Sequence, residues 1–397
     1  MELEIFERLL GGEGQELLEE LRAYDPGDEL AVATRLRQTH DAALVSAALG
    51  QARLRQRAAG KFGADAARMY FTAHGAEQST RTAVAAHRAA RIAASGVRTA
   101  ADLCCGNGGD ALALARAGVR VLAVDKDPLT CAVARANAEA LGLGELVEVR
   151  CADVTEVDTA GYDALFVDPA RRGGRGRIFD PEAYSPPLSR AVELARTAPL
   201  AALKIAPGIP HEAVPDDAGA EWVSDGGDVK EAVLWFGDGA PAPGSVRATL
   251  LPGGHTLTGR ELPPPETGPV GRFLYEPDGA VIRAHLVAEV AEAVGGRLID
   301  ETIAYVTADE PPQGTPYATA YEITDVLPFN LKKLRALLRE RGVGVVTVKK
   351  RGSAVEPEEL RKKLKLDPKR DRGSCTVFLT RVAGAPSMLL GGPVPRP

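Results

Sequence analysis

The sequence predicts an α/β protein built on a mostly parallel sheet, preceded by a helical region and followed by a small second α/β unit. Three observations carry that expectation. In LAVATRLRQTHDAALVSAALGQARLRQRAAGKFG, apolar residues keep helical spacing with no proline. From Ala100 onward short apolar or β-branched runs alternate with helical segments, and such alternation implies a parallel sheet covered on both faces. Past the proline-rich ELPPPETGP, which reads as a linker, helix and strand patterns resume.

Taken in order, residues 1–70 are expected as helices, and Arg81 to Ser95 as a further helix after a polar cluster. Strands are expected at RTAADL, RVLAVD, VEVRCAD, DALFVD, LAALKIA, EAVLWFG and RATLLPG, with a helix from Leu129 to Ala140. The second unit holds the helices IRAHLVAEVAEAVG and LKKLRALLRERG and the strands GVVTVKK and CTVFLTR. The expected domains are therefore 1–70, 71–258 and 270–383, with a poorly ordered tail over 384–397.

Composition excludes several classes. A chain of 397 residues has room for two or three domains, and 26% charged residues is ordinary for a soluble protein. No apolar run approaches the roughly 20 residues of a membrane-spanning helix. The acidic, amphipathic start MELEIFERLL lacks the layout of a signal peptide. Cysteines stand at 104, 105, 131, 151 and 375, an odd set without a Cys-x-x-Cys pair, which argues against disulfides and structural zinc. The expectation is a reduced, cytoplasmic protein with no metal and no membrane partner.

Charge is unevenly placed. From Leu331 to Arg372 there are fifteen Lys and Arg against six Asp and Glu, a local +9 that leaves −15 for the rest of a chain at −6. A concentrated basic stretch in an acidic protein suggests a polyanionic partner.

The chemistry centres on ADLCCGNGGDALALARAG, Ala101 to Gly118. A phosphate-binding loop needs Gly-Lys-Ser/Thr, and Gly108, Gly109 and Asp110 stand there instead. A dinucleotide loop needs a third glycine where Ala111 falls, and Asp110 at a helix mouth repels a diphosphate. An S-adenosyl ligand has no phosphate and carries a sulfonium, so Asp102 at a strand tip suits it. Gly106 and Gly108 clear the backbone for close approach. Asp125, followed by Lys126, ends the next strand nineteen residues after Gly106, where a carboxylate can accept ribose hydroxyls. Asp153, past the third strand, can accept the adenine amine.

These motifs, Asp102 to Gly109, Asp125, Asp153 and DPAR at 168–171, resemble the ordered motifs of class I S-adenosylmethionine-dependent methyltransferases. The resemblance implies a Rossmann-like domain, with S-adenosylmethionine as cofactor and S-adenosylhomocysteine as product. Cys104 stands where the family usually has its first glycine. A sheet of this kind that had lost its ligand gives no reason to keep acids at three strand ends.

DALFVDPARRGGRGR bears on the acceptor. In amine methyltransferases the matching position resembles Asp/Asn-Pro-Pro-aromatic, whose side chain and following carbonyl hold the target amine. Asp168 and Pro169 fit that pattern, while Ala170 and Arg171 depart from it and remove the aromatic that stacks on a base. DPAR also resembles enzymes that methylate carbon 5 of uridine, but these need a cysteine one strand later, and LAALKIAPGIP has none. Asp168, Pro169, Ala170 and Arg171 are therefore expected to serve transfer to nitrogen.

Upstream, YFTAHGAEQSTRTAVAAHRA resembles the segment before the first motif of trimethylguanosine-synthase-like RNA methyltransferases, where Ser79 and Thr80 match a pair lining the cofactor pocket. The whole layout resembles bacterial methyltransferases with a THUMP-like C-terminal domain, which implies RNA as substrate class. Arg171, Arg172, Arg175 and Arg177 form a glycine-spaced cationic loop, and Lys349, Lys350, Arg351, Lys362 and Lys363 add cations suited to phosphates. A small molecule enclosed by the flanking domains is the alternative acceptor. His74, His87 and His285 are isolated, and Tyr70, Phe71 and Phe179 suit a core as well as a base stack.

Overall fold

The structure, a computed structural model, describes residues 1–171, 180–311, 314–367 and 372–395. The chain forms two compact units. Met1–Ala220 with Lys230–Ser245 make the first, and Glu221–Val229 with Val246–Pro397 the second.

The first unit begins with helices α1 (Leu3–Leu10), α2 (Gly12–Glu20), α3 (Glu29–Leu36) and α4 (Ala42–Phe62). Asp41 starts α4 by accepting the backbone N–H groups of Ala43 and Leu44, both at 3.0 Å, which satisfies two otherwise orphaned donors. Helices α5 (Ala73–Gln78) and α6 (Thr82–Ala94) lead into the sheet. Then come β1 (Thr99–Leu103), α7 (Gly109–Arg116), β2 (Arg120–Asp125), α8 (Pro128–Ala140), β3 (Val147–Cys151) and β4 (Ala164–Val167). Two-residue strands β5 (Ala170–Arg171) and β6 (Tyr184–Ser185) pair after β4, followed by α9 (Leu188–Ala195) and β7 (Leu200–Ile205).

Strand β8 (Gly219–Asp225) was not foreseen, and β9 (Asp228–Gly237) follows it. The sheet of the first unit runs β9-β7-β4-β1-β2-β3, parallel except for β9. Because β4 and β2 lie on opposite sides of β1, the strand order reverses there, and ligands bind beyond the strand ends at such a point.

Register sharpens this placement. Leu103 sits opposite both Val124 and Val167. The next residues, Cys104, Asp125 and Asp168, thus emerge at one edge of the sheet. The N-terminal helices do not form a unit of their own. Phe6, Leu9, Leu17, Leu44 and Val45 share a core with Val133 and Ala136 of α8, which binds residues 1–70 to the sheet domain.

In the second unit β10 (Val246–Leu251) and β11 (His255–Thr258) precede a seven-stranded sheet. Its elements are β12 (Phe273–Pro277), α10 (Gly279–Arg283), α11 (Val287–Ala293), β13 (Arg297–Asp300), β14 (Ile303–Ala308), β15 (Ala318–Pro328), α12 (Leu331–Glu340), β16 (Val343–Lys350), α13 (Pro357–Leu364), β17 (Gly373–Val382) and β18 (Ala385–Pro393). The strand order is β13-β14-β12-β15-β18-β17-β16. The expected disordered tail over 384–397 is thus corrected: most of it is β18, held between β15 and β17. Leu389 and Leu390 of that strand are fully buried, one on each face, which makes it core. Among the described residues no helix is long and apolar enough to cross a membrane.

Candidate active site

The loop between β1 and α7 turns on residues in the left-handed region: Cys104 at φ 68°, Gly106 at φ 55° and Gly108 at φ 84°. Cys104 holds the conformation that a glycine adopts without penalty, so the loop keeps its shape at a strain of about 1–2 kcal/mol. The Gly106 N–H donates to Asp125 Oδ2 at 3.1 Å, and the Asp127 N–H donates to Oδ1 at 3.1 Å. Oδ2 is thereby tied to the loop and Oδ1 to the turn that follows β2. Burial raises the Asp125 carboxyl, with these two donors pulling the other way. Asp153 is exposed and accepts from the Thr155 N–H (3.0 Å) and hydroxyl (2.7 Å), which lower its carboxyl.

Asp102 is fully buried, and its carboxylate has no side-chain donor among the described residues, the backbone N–H of Ala111 being the one group that faces it. Burial, then the charges of Asp110 and Asp168, push its carboxyl well above the usual range. An unpaired buried carboxylate is expensive. An acid of this kind beside a glycine-bent loop suits a cationic or N–H-bearing group such as the amino-acid end of an S-adenosyl ligand, although both oxygens are sealed from solvent by the packing around them.

Behind the loop lies a cluster that sequence reasoning missed. Arg88 of α6, 3% exposed in its side chain, pairs with Asp110 of α7 and with Glu231 of β9, and its guanidinium lies 4.3 Å from the Phe166 ring centroid. The Thr80 hydroxyl donates to Asp110 Oδ2 at 3.0 Å. Lys204 of β7 donates to Thr80 Oγ1 at 2.9 Å and to Asp168 Oδ2 at 2.7 Å. For Asp110, burial raises the carboxyl, but Arg88 and Lys204 outweigh it and hold it below the usual range. For Glu231 burial prevails over both cations and the carboxyl is raised. A lone lysine inside LAALKI was the available signal.

Segment 70–81 closes on the loop from another side. Asn137 Nδ2 donates to the carbonyls of Asn107 (2.9 Å) and Tyr70 (3.0 Å), while its Oδ1 accepts from the Tyr70 N–H at 2.6 Å. Lys61 at the end of α4 donates to the carbonyls of Ala76 (3.0 Å), Glu77 and Ser79 (3.2 Å), the position a helix dipole favours for a cation. Ser79 and Thr80 differ from the expected pocket-lining pair in their bonding. The Ser79 hydroxyl donates to the Gly75 carbonyl at 2.6 Å, and Thr80 belongs to the buried cluster. Lys126 is exposed, its ammonium 3.4 Å from Ser185 Oγ.

After β4, Pro169 is buried, Ala170 is exposed, and the backbone of Ala170 and Arg171 pairs with Ser185 and Tyr184. The side chain of Arg171 and all of Arg172, Arg175, Arg177 and Phe179 lie outside the described residues. Burial, then Asp168, Asp125 and Asp102, raise the Cys104 thiol, so it stays protonated and is a poor nucleophile.

The expected phosphate-binding cations are not one free array. Lys349 pairs with Glu276, Lys350 with Glu356 (2.5 Å) and Lys363 with Glu359 (3.4 Å). Arg351 lies over the Tyr305 ring at 5.1 Å. Lys362 is exposed, with no ion pair among the described residues.

Comparison with known proteins completes the description. Residues 100–168 match the family described as a methyltransferase domain, 318–393 the one described as THUMP domain-like, and 2–58 a domain of unknown function. The chain is 34% identical over 346 residues to an uncharacterized S-adenosylmethionine-dependent methyltransferase of Mycobacterium tuberculosis, present in strains CDC 1551 / Oshkosh and H37Rv. The match covers 84% of this chain and 92% of the relative. A crystal structure of a candidate methyltransferase from Porphyromonas gingivalis W83 is similar with a TM-score of 0.74 over 94% of this chain and 100% of that one. At 22% identity this likeness concerns the fold.

Proposed function

The chain belongs to the S-adenosylmethionine-dependent methyltransferases, and from that premise we propose that it methylates a nitrogen of an RNA base. When bound, the cofactor supplies a methyl group on a sulfonium and is released as S-adenosylhomocysteine. Asp125 is read as the holder of the ribose hydroxyls, Asp153 of the adenine amine, and Asp102 of the amino-acid end, with Gly106 and Gly108 admitting the ligand to the backbone. Asp168 accepts the target's N–H and, with the backbone of Pro169 and Ala170, aims the nitrogen lone pair. Such a reaction runs on positioning and needs little acid–base work.

One observation carries the nitrogen reading. Asp168 stands past β4 at the point where strand order reverses, its N–H bonded to the Leu103 carbonyl at 3.1 Å, with one carboxylate oxygen held and the other without a partner among the described residues. RNA is favoured by the +9 stretch and by the match to a THUMP-like domain. A cytoplasmic setting accords with five free cysteines.

The second reading is a small-molecule acceptor; a cavity of about 770 Å³ lined by α4, Phe71, Thr72, Ala73 and Leu129 has the size for a small ligand, but none of Asp102, Asp125 and Asp168 lines it. Transfer of tritium from methyl-labelled cofactor separates the two. With RNA from cells lacking this gene, label should enter RNA in a salt-sensitive manner. Label appearing only in small molecules overturns the RNA assignment.

A further inference from the structure

We propose that Lys204 is the positioning residue of the transfer site, fixing Asp168 and cancelling its charge so that the site takes a nitrogen arriving neutral. The inference rests on the reading of Asp168 as acceptor for the target's N–H.

Strand β7 reads LAALKI, and every residue but Lys204 is buried; the lysine side chain is itself only 12% exposed. Packing against apolar neighbours gives no reason for an ammonium there, and burying one is costly unless it is paired. Its partners are Asp168 Oδ2 at 2.7 Å and Thr80 Oγ1 at 2.9 Å. Thr80 continues to Asp110, Asp110 to Arg88, and Arg88 to Glu231, so Lys204 is braced from inside the domain. Burial lowers the Lys204 ammonium, but Asp168, Asp110 and Glu231 outweigh burial and the repulsion of Arg88. It remains charged.

Two consequences follow for the acceptor. With Oδ2 engaged, the carboxylate has one orientation and presents Oδ1 alone, on a side chain 32% exposed. With an ammonium beside it, the carboxylate has little net pull on a second cation. An aliphatic amine, with a pKa of about 10.4, arrives as an ammonium and must shed a proton before it can attack. A conjugated ring or exocyclic nitrogen is neutral at pH 7 and needs only the acceptor. The pair therefore selects nucleobase-like or amide-like nitrogens over alkylamines.

Sinefungin, a cofactor analogue bearing an amine in place of the methylated sulfonium, probes this charge without an acceptor substrate. Calorimetry on the full chain compares sinefungin with S-adenosylhomocysteine in wild type, Lys204→Met and Asp168→Asn. Removing the lysine should raise the preference for sinefungin about tenfold or more, the range of a hydrogen bond to a charged group, and Asp168→Asn should lower it by a similar factor. Lys204→Arg, which keeps the charge, should return the wild-type ratio. If Asp168→Asn shifts the ratio and Lys204→Met does not, the role of Lys204 falls while the reading of Asp168 stands. If Asp168→Asn shifts nothing, Asp168 is not at the transfer point and both fall. Should Lys204→Met fail to fold, wild type decides: its ratio should lie within about threefold of unity, and a sinefungin preference beyond about tenfold overturns the proposal.

Discussion

Two charged regions of this molecule treat their charges in opposite ways. Around the β1–α7 loop, Arg88 and Lys204 are almost sealed from solvent and each is held by acids from distant elements. In the basic stretch of the second unit, Lys350 and Lys363 lean on nearby glutamates in the open, with partners six and four residues away. The first arrangement is conspicuous in structure and faint in sequence; the second is the reverse. Local charge excess therefore measures how many cations there are, and burial determines what each is worth. Exposed pairs contribute about 0–1 kcal/mol, whereas breaking a buried pair leaves a stranded charge and costs several times more.

The largest expected effect tests that contrast directly. Arg88→Met should destabilise the protein by about 3–5 kcal/mol, because Asp110 and Glu231 lose their shared cation. Denaturant unfolding checks this, and a loss below about 1 kcal/mol would place the cluster on a par with the surface pairs. Next is Asp125→Ala, expected to weaken cofactor binding by about 1–3 kcal/mol in calorimetry while leaving the fold intact.

Asp102 gives a signature in pH. Its carboxyl lies well above the usual range through burial and the neighbouring acids, so it holds a proton in the absence of ligand at pH values where ordinary carboxylates are ionised. A cationic ligand favours its ionised form, so binding should release a proton and affinity should rise with pH above the ordinary carboxylate range. Calorimetry in buffers of different ionisation enthalpy should find this release in wild type and not in Asp102→Asn.

Smaller effects sharpen the comparison. Cys104→Gly should change stability by no more than about 1 kcal/mol, relief of the left-handed strain being offset by the freer unfolded chain, with cofactor affinity held within a few-fold. In the second unit, neutralising Lys349, Lys350 and Lys363, all paired, should flatten the log–log salt dependence of RNA binding by less than one phosphate contact, about 0.7–0.9. Neutralising exposed Lys332, Lys333 and Lys362 should flatten it more. Equal slopes for the two sets would show that existing ion pairs do not withhold these cations from RNA.

The legible part of the site was what one strand and its following loop carry together. Asp102, Asp125 and Asp168 each end a run of apolar residues, so strand pattern and acid announce one another. Lys204 shows only as a lone lysine in an apolar strand and Arg88 not at all, because Asp168 lies 36 residues from the first, and Asp110 and Glu231 lie 22 and 143 residues from the second. Asn137, an ordinary helix residue in sequence, joins Tyr70 to the glycine loop only in three dimensions. Strand β18 was hidden by its glycines and prolines, which read as a tail. Gly391 is there because β15 runs close beside it: a Cβ would come within 2.3 Å of the Glu322 carbonyl oxygen. Sequence periodicity reports local order, and close approach between strands is not local.

The proposed role of Asp168, directing methyl transfer to a nitrogen of RNA, is open to a direct test. Nucleosides from total RNA of a strain lacking the gene, complemented with wild type or with Asp168→Ala, can be compared by mass spectrometry. One N-methylated nucleoside should vanish in the deletion, return with wild type and stay absent with the variant, although the variant still binds S-adenosylhomocysteine. An RNA nucleoside profile identical in all three strains, or full restoration by Asp168→Ala, would contradict the account.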